Sequence, residues 1–442
     1  MQHAAHMLSA IGLGLAVCLP SQAAQAQEIE GSVAEDIAPV IETDLALEAA
    51  EAALAAAPVF DGHNDVPIQL RARFDNQINN FDFADTTGTG ATHPQGRVMH
   101  TDLARLAEGR VGAQYWSVYV PASLPEPQAV QATIEQIDVM KRLIARYPDE
   151  LAYAETADDI ENAMAEGRIA SLLGMEGGHS IGSSLAVLRQ MYDLGARYMT
   201  LTHSANTPWA DSATDDPEHG GLTDFGKDVV REMNRIGMLV DLSHVSEEAM
   251  HDALDVARAP VIFSHSGVRA VNGHARNVPD SVLERLPENG GIVMVVGLPG
   301  FLNDDQRKWF AERSAEVARQ ESLYRGQPDI VARAMAEWDA ANEMPPTMIS
   351  HMADHIDHIR ALIGVEYIGI GGDFDGMPTG PVGFEDVSGY PQLFAELSRR
   401  GYSQVEMELI SNRNAMRVLR EAERYAARAR GQAPIERLIP EE

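Results

Sequence analysis

Short apolar runs alternate with longer stretches of helical spacing from Val59 onward. The runs are Val59-Phe60, Tyr115 to Val120, Ile169 to Met175, Tyr198 to Leu201, Met238 to Leu242, Pro260 to Ser264, Gly291 to Gly297 and Tyr367 to Gly371. They are apolar at successive positions, as in strands covered on both faces. Ala129 to Arg146, Leu185 to Leu194, Phe225 to Ile236, Glu247 to Arg258 and Ser403 to Ala427 read as helices that separate or follow them. Eight β-then-α units predict an α/β fold, a parallel (β/α)8 TIM barrel. A doubly wound open sheet is the structural alternative.

The connection after the seventh run is unusually long. Asn303 to Ile349 carries charged helical patterns at Gln306 to Tyr324 and Ile330 to Asn342 and closes on Pro345-Pro346. It reads as a helical insertion over the barrel mouth, a lid or an oligomer contact. Before the first run, residues 27–57 form a lead-in: a polar, acidic stretch to Thr43, then an Ala-rich helix over Asp44 to Ala57 ended by Pro58. The barrel domain is expected over 58–430, with a tail over 431–442.

Composition changes the picture in two places. The chain has 442 residues, 45% of them hydrophobic and 23% charged, an ordinary globular balance. Its net charge of −32 argues against nucleic acid as a partner. Residues 1–26 contain no Asp, Glu, Lys or Arg, and Met7 to Leu19 is apolar ahead of Ala24-Gln25-Ala26. That is the pattern of a secretory signal peptide cleaved after Ala26, although the initial segment lacks Lys and Arg; an uncleaved anchor or a different start codon is the alternative. No later run is long and apolar enough to span a membrane. The expectation is a soluble secreted or periplasmic protein. Cys18, the only cysteine, lies in the signal segment, so any metal in the mature chain is held by His, Asp and Glu.

Several of the apolar runs end in a residue of metal-ligand type. The first leads to His63 and Asp65, two apart, the third to Glu176, the fourth to His203, the fifth to His244, the sixth to His265, and the eighth to Asp373 and Asp375. In a TIM barrel these positions share the face where active sites are built. His63, Asp65, Glu176, His244 and His265, with one carboxylate bridging, suffice for two metal ions, which can generate hydroxide and polarise a carbonyl or phosphoryl oxygen. His351, His355 and His358 have helical spacing and read as one face of a helix. Asp373-x-Asp375-Gly376 lacks the later ligands of a calcium loop. There is no G-x-S-x-G elbow, P-loop or post-strand G-x-G-x-x-G, which disfavours serine hydrolases, NTPases and dinucleotide enzymes. His93, His100, His179, His219 and His274 lie in loop-like segments and receive no role.

Seven segments carry a resemblance: Asp61-Gly62-His63-Asn64-Asp65, Glu176-Gly177-Gly178-His179-Ser180, Thr202 to Asp211, Asp241-Leu242-Ser243-His244, Phe263-Ser264-His265-Ser266, Arg276-Asn277-Val278-Pro279-Asp280 and Gly371 to Gly376. From about Val59 to beyond Asn414 the chain resembles the renal (membrane) dipeptidase family, peptidase family M19. The resemblance implies a metalloprotease of the amidohydrolase type with two Zn2+ per subunit. His63 and Asp65 would bind one zinc and His244 and His265 the other, with Glu176 and a hydroxide bridging. His203 would lie by the substrate carbonyl, Arg276 would take the C-terminal carboxylate of a dipeptide, and Asp373 would shuttle protons. Family members accept an L residue first and often a D residue second, some open β-lactams, and a homodimer is the family's usual state. The alternatives are a related hydrolase of a lactone, cyclic amide or phosphoester, or a non-catalytic barrel. The animal enzymes are lipid-anchored and disulfide-linked, and this sequence shows neither signal.

Overall fold

All eight predicted strands form, together with a ninth. The computed structural model describes residues 38–439, with side chains from Leu45 onward; the signal segment lies outside them. The strands are β1 (Val59–Asn64), β2 (Val111–Ser117), β3 (Leu151–Tyr153), β4 (Ile169–Glu176), β5 (Ala196–Thr200), β6 (Leu239–Asp241), β7 (Ile262–Ser266), β8 (Ile292–Val296) and β9 (Ile368–Gly371). All pair in parallel, in the order β2-β1-β9-β8-β7-β6-β5-β4, and β2 also pairs with β4 from Ala113 opposite Ala170 to Ser117 opposite Gly174. That last pairing closes an eight-stranded barrel. The unpredicted β3 pairs with the start of β4, Leu151 opposite Ile169, on the side that β5 occupies from Leu173 onward.

The strands are apolar at successive positions because each face has its own cover. Phe60, Tyr115, Leu172, Tyr198, Ile292 and Met294 belong to one buried cluster that fills the barrel. Val59, Leu173, Met199, Val240, Phe263 and Val293, at neighbouring positions, belong to a larger cluster beneath the helices. Burial of such side chains stabilises by about 2 kcal/mol each. Two seams are thin: β1 meets β9 only at Asp61 opposite Ile370, and β6 meets β7 only at Asp241 opposite Ile262.

The helices depart from expectation at their ends. The lead-in helix begins earlier, as Ala38–Ala56. The predicted Ser403 to Ala427 helix forms as Gln404–Glu408, a wide π turn Leu409–Arg413, and Asn414–Ala429. The π turn sets Ser411 and Asn412 to donate to the carbonyls of Ala57 and Pro58, each at 2.8 Å, where β1 begins. The long connection is helical, with Asp304–Leu323 and Pro328–Ala341 following β8, the seventh barrel strand. Among the described residues no helix is long and apolar enough to cross a membrane.

Candidate metal centre

Glu176, the last residue of β4, lies among four imidazoles. Its Oε1 is 3.0 Å from His244 Nε2, 3.5 Å from His265 Nε2 and 3.6 Å from His203 Nε2, while Oε2 is 3.5 Å from His63 Nε2. His63 Nε2 is also 3.3 Å from Asp65 Oδ2. Asp373 completes a third group with His63 and Asp65, their ligand atoms within 4.8 Å of one another. Every residue singled out at the strand ends is therefore brought to one place, and Asp375 borders the same cleft. His63 and Asp65 do not meet by alternation along a strand, because Asp65 caps the helix Val66–Phe74, with φ −98° and ψ 22°. Pro67 sits in the first turn of that helix, where a missing N–H costs nothing.

Two buried aspartates that carried no assignment hold the ligand strands in place. Asp61 Oδ1 accepts from the N–H of His63 (3.0 Å) and of Gly372 (2.8 Å), and Oδ2 accepts from the Tyr390 hydroxyl. Asp241 Oδ1 accepts from the N–H of Ser243 (3.0 Å) and of Ser264 (2.8 Å), and Oδ2 from the hydroxyls of Thr200 and Ser264. These carboxylates bridge the two seams where the ladder has one registered pair. They thus fix β1 against β9 and β6 against β7 immediately below the ligands. His244, Asp373 and Asp375 have φ of 70°, 60° and 67°, a left-handed conformation that costs a non-glycine residue about 1–3 kcal/mol and clusters at functional sites.

Tyr198 orients His63 from inside the barrel, with its hydroxyl 2.8 Å from Nδ1. An imidazole that ligates through Nε2 keeps its proton on Nδ1 and donates it to such a partner. Gly174 makes this reach possible, since a Cβ there would lie 2.0 Å from the Tyr198 ring. Ser264 Oγ stands at 2.8 Å from Nδ1 of His265 in the same manner.

The electrostatics suit a cation. Burial, then Arg276 and neighbouring imidazoles, hold His244 and His265 well below the usual histidine value, so both are neutral and keep a lone pair. At His63 burial is opposed and outweighed by Tyr198, Glu176 and Asp65, which raise it well above that value; at Glu176 burial is outweighed by the imidazoles, which hold it well below the usual carboxylate range. A place that stabilises a proton between carboxylates stabilises a metal cation for the same reason. His63 Nε2 and Asp65 Oδ1 are buried without a hydrogen-bond partner, a state that costs about 1–3 kcal/mol for each polar group and that a coordinated ion would relieve. The donor set of imidazole and carboxylate fits zinc and its neighbours.

The cleft above this cluster has a volume of about 310 Å³ and includes Tyr119, His203, Arg276, Leu298, Phe301 and Asp373 in its wall. Arg276 is 2% exposed, lies with its guanidinium 5.3 Å from the Phe301 ring centroid, and makes no carboxylate ion pair among the described residues. Its nearest acceptors are distant, Ser266 Oγ at 3.5 Å and the His265 carbonyl at 3.4 Å. Burial lowers its pKa to about 10, which leaves it cationic at neutral pH. Burial and the Asp65 and Glu176 carboxylates, against His63 and Arg276, hold Asp373 well above the usual range.

The remaining histidines lie elsewhere or brace the site. His351, His355 and His358 are on the helix Ile349–Ile363, as their spacing predicts. His100 had no role in the sequence, yet it grips the Asp375 loop: Asp375 Oδ1 accepts from its N–H at 2.8 Å, and its Nδ1 accepts from the Asp375 N–H at 3.1 Å. His179 sets Nε2 3.1 Å from the Val120 carbonyl.

A closed parallel barrel whose strand ends gather four imidazoles and several carboxylates in one cleft is the architecture of a metal-dependent hydrolase. Residues 47–433 match the family described as Membrane dipeptidase (Peptidase family M19), and the chain belongs to that family. It is 41% identical to Dipeptidase 3 of Rattus norvegicus over 389 residues, 87% of this chain and 69% of the relative. It is also 41% identical to Dipeptidase tcpJ of Claviceps purpurea over 384 residues, 85% of this chain and 79% of the relative. Among solved structures, the dipeptidase AC, a metallopeptidase of family M19, superposes with a TM-score of 0.67 at 25% identity, covering 83% of this chain and 98% of that one. The probable dipeptidase PvdM of Pseudomonas aeruginosa shares the fold, with a TM-score of 0.73 at 23% identity over 87% of this chain and 100% of that one. The protein is thus a metal-dependent dipeptidase.

Proposed function

We propose that the chain is a dinuclear zinc dipeptidase, with His63 and Asp65 holding one Zn2+, His244 and His265 the other, and Glu176 between them. The observation that carries this reading is the position of Glu176, whose Oε2 faces His63 while its Oε1 faces His244 and His265. Two Zn2+ ions, when bound, polarise the peptide carbonyl and make water acidic near neutral pH. The chain's own residues do the rest. Arg276 pairs with the C-terminal carboxylate of the dipeptide, a planar fork against a planar anion. His203, at the rim, borders the carbonyl oxygen. Asp373 accepts a proton from the attacking water and passes it to the leaving amine. Because Arg276 is buried, a tripeptide would set an amide where the guanidinium needs a carboxylate, and is rejected.

The substrates are dipeptides with an L residue first and an L or D residue second. In support, a metallopeptidase of Rhodobacter sphaeroides with the same fold was crystallised with a phosphinate mimic of L-Ala-D-Ala. The apolar segment ahead of Ala26 supports export to the periplasm or the medium, and the family resemblance supports a homodimer. The test is amino-acid release from a panel of L-L, L-D and D-L dipeptides and one tripeptide, before and after chelation and zinc restoration. Zinc-dependent release from dipeptides alone is the expected result. Release by the zinc-free protein, or from the tripeptide equally, would overturn it. Asp373→Asn separates roles: turnover is lost with two zinc ions retained, whereas loss of an ion would make Asp373 a ligand.

A further inference from the structure

Beside the metal cleft, and sharing Leu298 and Phe301 with it, lies a second cleft of about 620 Å³. One wall is the segment after β8, with Leu298, Pro299 and Phe301. The opposite wall is the insertion, with Phe310 and Met344. Phe310 is 47% exposed and Met344 45%, so the fold leaves these apolar side chains uncovered on the cleft. Arg307 also borders it, but Asp304 already holds that charge at 2.7 Å.

We infer that this second cleft receives the side chain of the dipeptide's second residue and selects large apolar residues there. The inference rests on the dipeptidase reading, specifically on Arg276 pairing with the C-terminal carboxylate. The carbon that bears this carboxylate also bears the second side chain, so that side chain leaves the backbone within one bond of the group Arg276 holds. Towards the barrel, the Arg276 guanidinium faces Ser266 and the His265 carbonyl. On another side lies Phe301, which lines both the metal cleft and the apolar cleft. A small second residue leaves Phe310 and Met344 wet, whereas an isobutyl, thioether or benzyl group covers them. Discrimination of about tenfold accompanies even one added methylene in an apolar pocket.

The experiment compares kcat/KM of the zinc-loaded full chain on Ala-Gly, Ala-Leu, Ala-Phe and Ala-Asp, all with L residues, for the wild type and the double variant Phe310→Ser, Met344→Ser. Both side chains are exposed, and a melting curve confirms that the variant folds. The wild type is expected to prefer Leu and Phe over Gly and Asp by about tenfold or more, and the variant to lose about tenfold of the Phe-to-Gly ratio. Equal rates on all four substrates, or a preference untouched by the double substitution, would overturn the pocket while leaving the dipeptidase reading intact. No release from any substrate would remove the dipeptidase reading and the pocket with it. A flat profile in a protein whose mass by light scattering falls from two copies to one in the variant would assign this face to a second copy and likewise overturn the pocket.

Discussion

At the strand ends, His63, Glu176, His244 and His265 are each at most 9% exposed, and backbone or side-chain bonds from Asp61, Asp241 and Tyr198 brace the strands and a ring that carry them. In the insertion, the helices Asp304–Leu323 and Pro328–Ala341 bury only Gln306, Gln320 and Met335. They hold one another through Trp309 and Trp338, ring centroids 5.6 Å apart, and through the forked pair Arg313–Asp339. A buried polar group without its partner costs far more than an exposed one. Substitutions in the first region should therefore spread through the centre, and those in the second should stay local.

The largest effect is expected at Glu176. Glu176→Gln keeps the shape but removes the charge that faces all four imidazoles, and should lower kcat/KM by at least about 10³-fold, comparable to removal of an essential catalytic group, with loss of metal on elemental analysis. Activity within tenfold of wild type would mean that the centre is not built around this carboxylate. Next comes Asp241→Asn, which sets an amide donor among two backbone N–H groups and two hydroxyls. A cost of about 4 kcal/mol in unfolding free energy follows from leaving buried donors unpaired, with weaker metal binding. Were the same substitution harmless, the thin β6–β7 seam would not depend on the side chain.

His355 joins the two regions and adds a pH dependence. Its Nδ1 accepts from the Val268 N–H at 2.7 Å, and its Nε2–H donates to the Leu302 carbonyl at 3.1 Å, just before the insertion. The first bond requires the neutral ring, because a protonated Nδ1 cannot accept. Burial lowers its pKa to about 4, the Leu302 carbonyl and Asp354 opposing and His358 and His351 assisting. For a histidine depressed in the folded state, the unfolded chain takes the proton first as pH falls. The contribution to stability is therefore complete above about pH 6.5 and is lost between about pH 6.5 and 4, amounting to about 3 kcal/mol. The gap in unfolding free energy between wild type and His355→Leu should narrow by roughly that amount from pH 7 to pH 4. A gap constant with pH would show that the ring carries no proton linkage.

The eight strands were legible because a strand covered on both faces leaves an unbroken apolar run, and the ligands because His63, Glu176, His244 and His265 follow where such runs break. What was not legible depended on partners remote in sequence or on signals too short to stand out. β3, from Leu151 to Tyr153, has no room for a pattern. Tyr198 reads as one more apolar strand residue, and only the fold sets it against His63. Asp61 and Asp241 show their role only once the neighbouring strand presents its N–H groups. The helix Ala157–Ala165 does carry a local signal, since Thr156 and Asp159 form a capping box at its start.

The smallest effect is expected in the insertion itself, where Asp339→Asn breaks the fork with Arg313 at a pair exposed by 36% and 38%. Exposed ion pairs add little, because water and salt screen the charges and both side chains must be ordered to meet. The melting temperature should move by less than about 2 °C, and kcat/KM on Ala-Gly should stay within a factor of about two. Limited proteolysis supplies the sharper reading. If the two helices are a locally stabilised appendage, the variant is cut faster within 304–341 while the barrel remains whole and active. Faster cutting throughout the barrel, with a matching fall in melting temperature, would show that the insertion is part of the same cooperative unit as the metal centre, and the contrast between the two regions would fail.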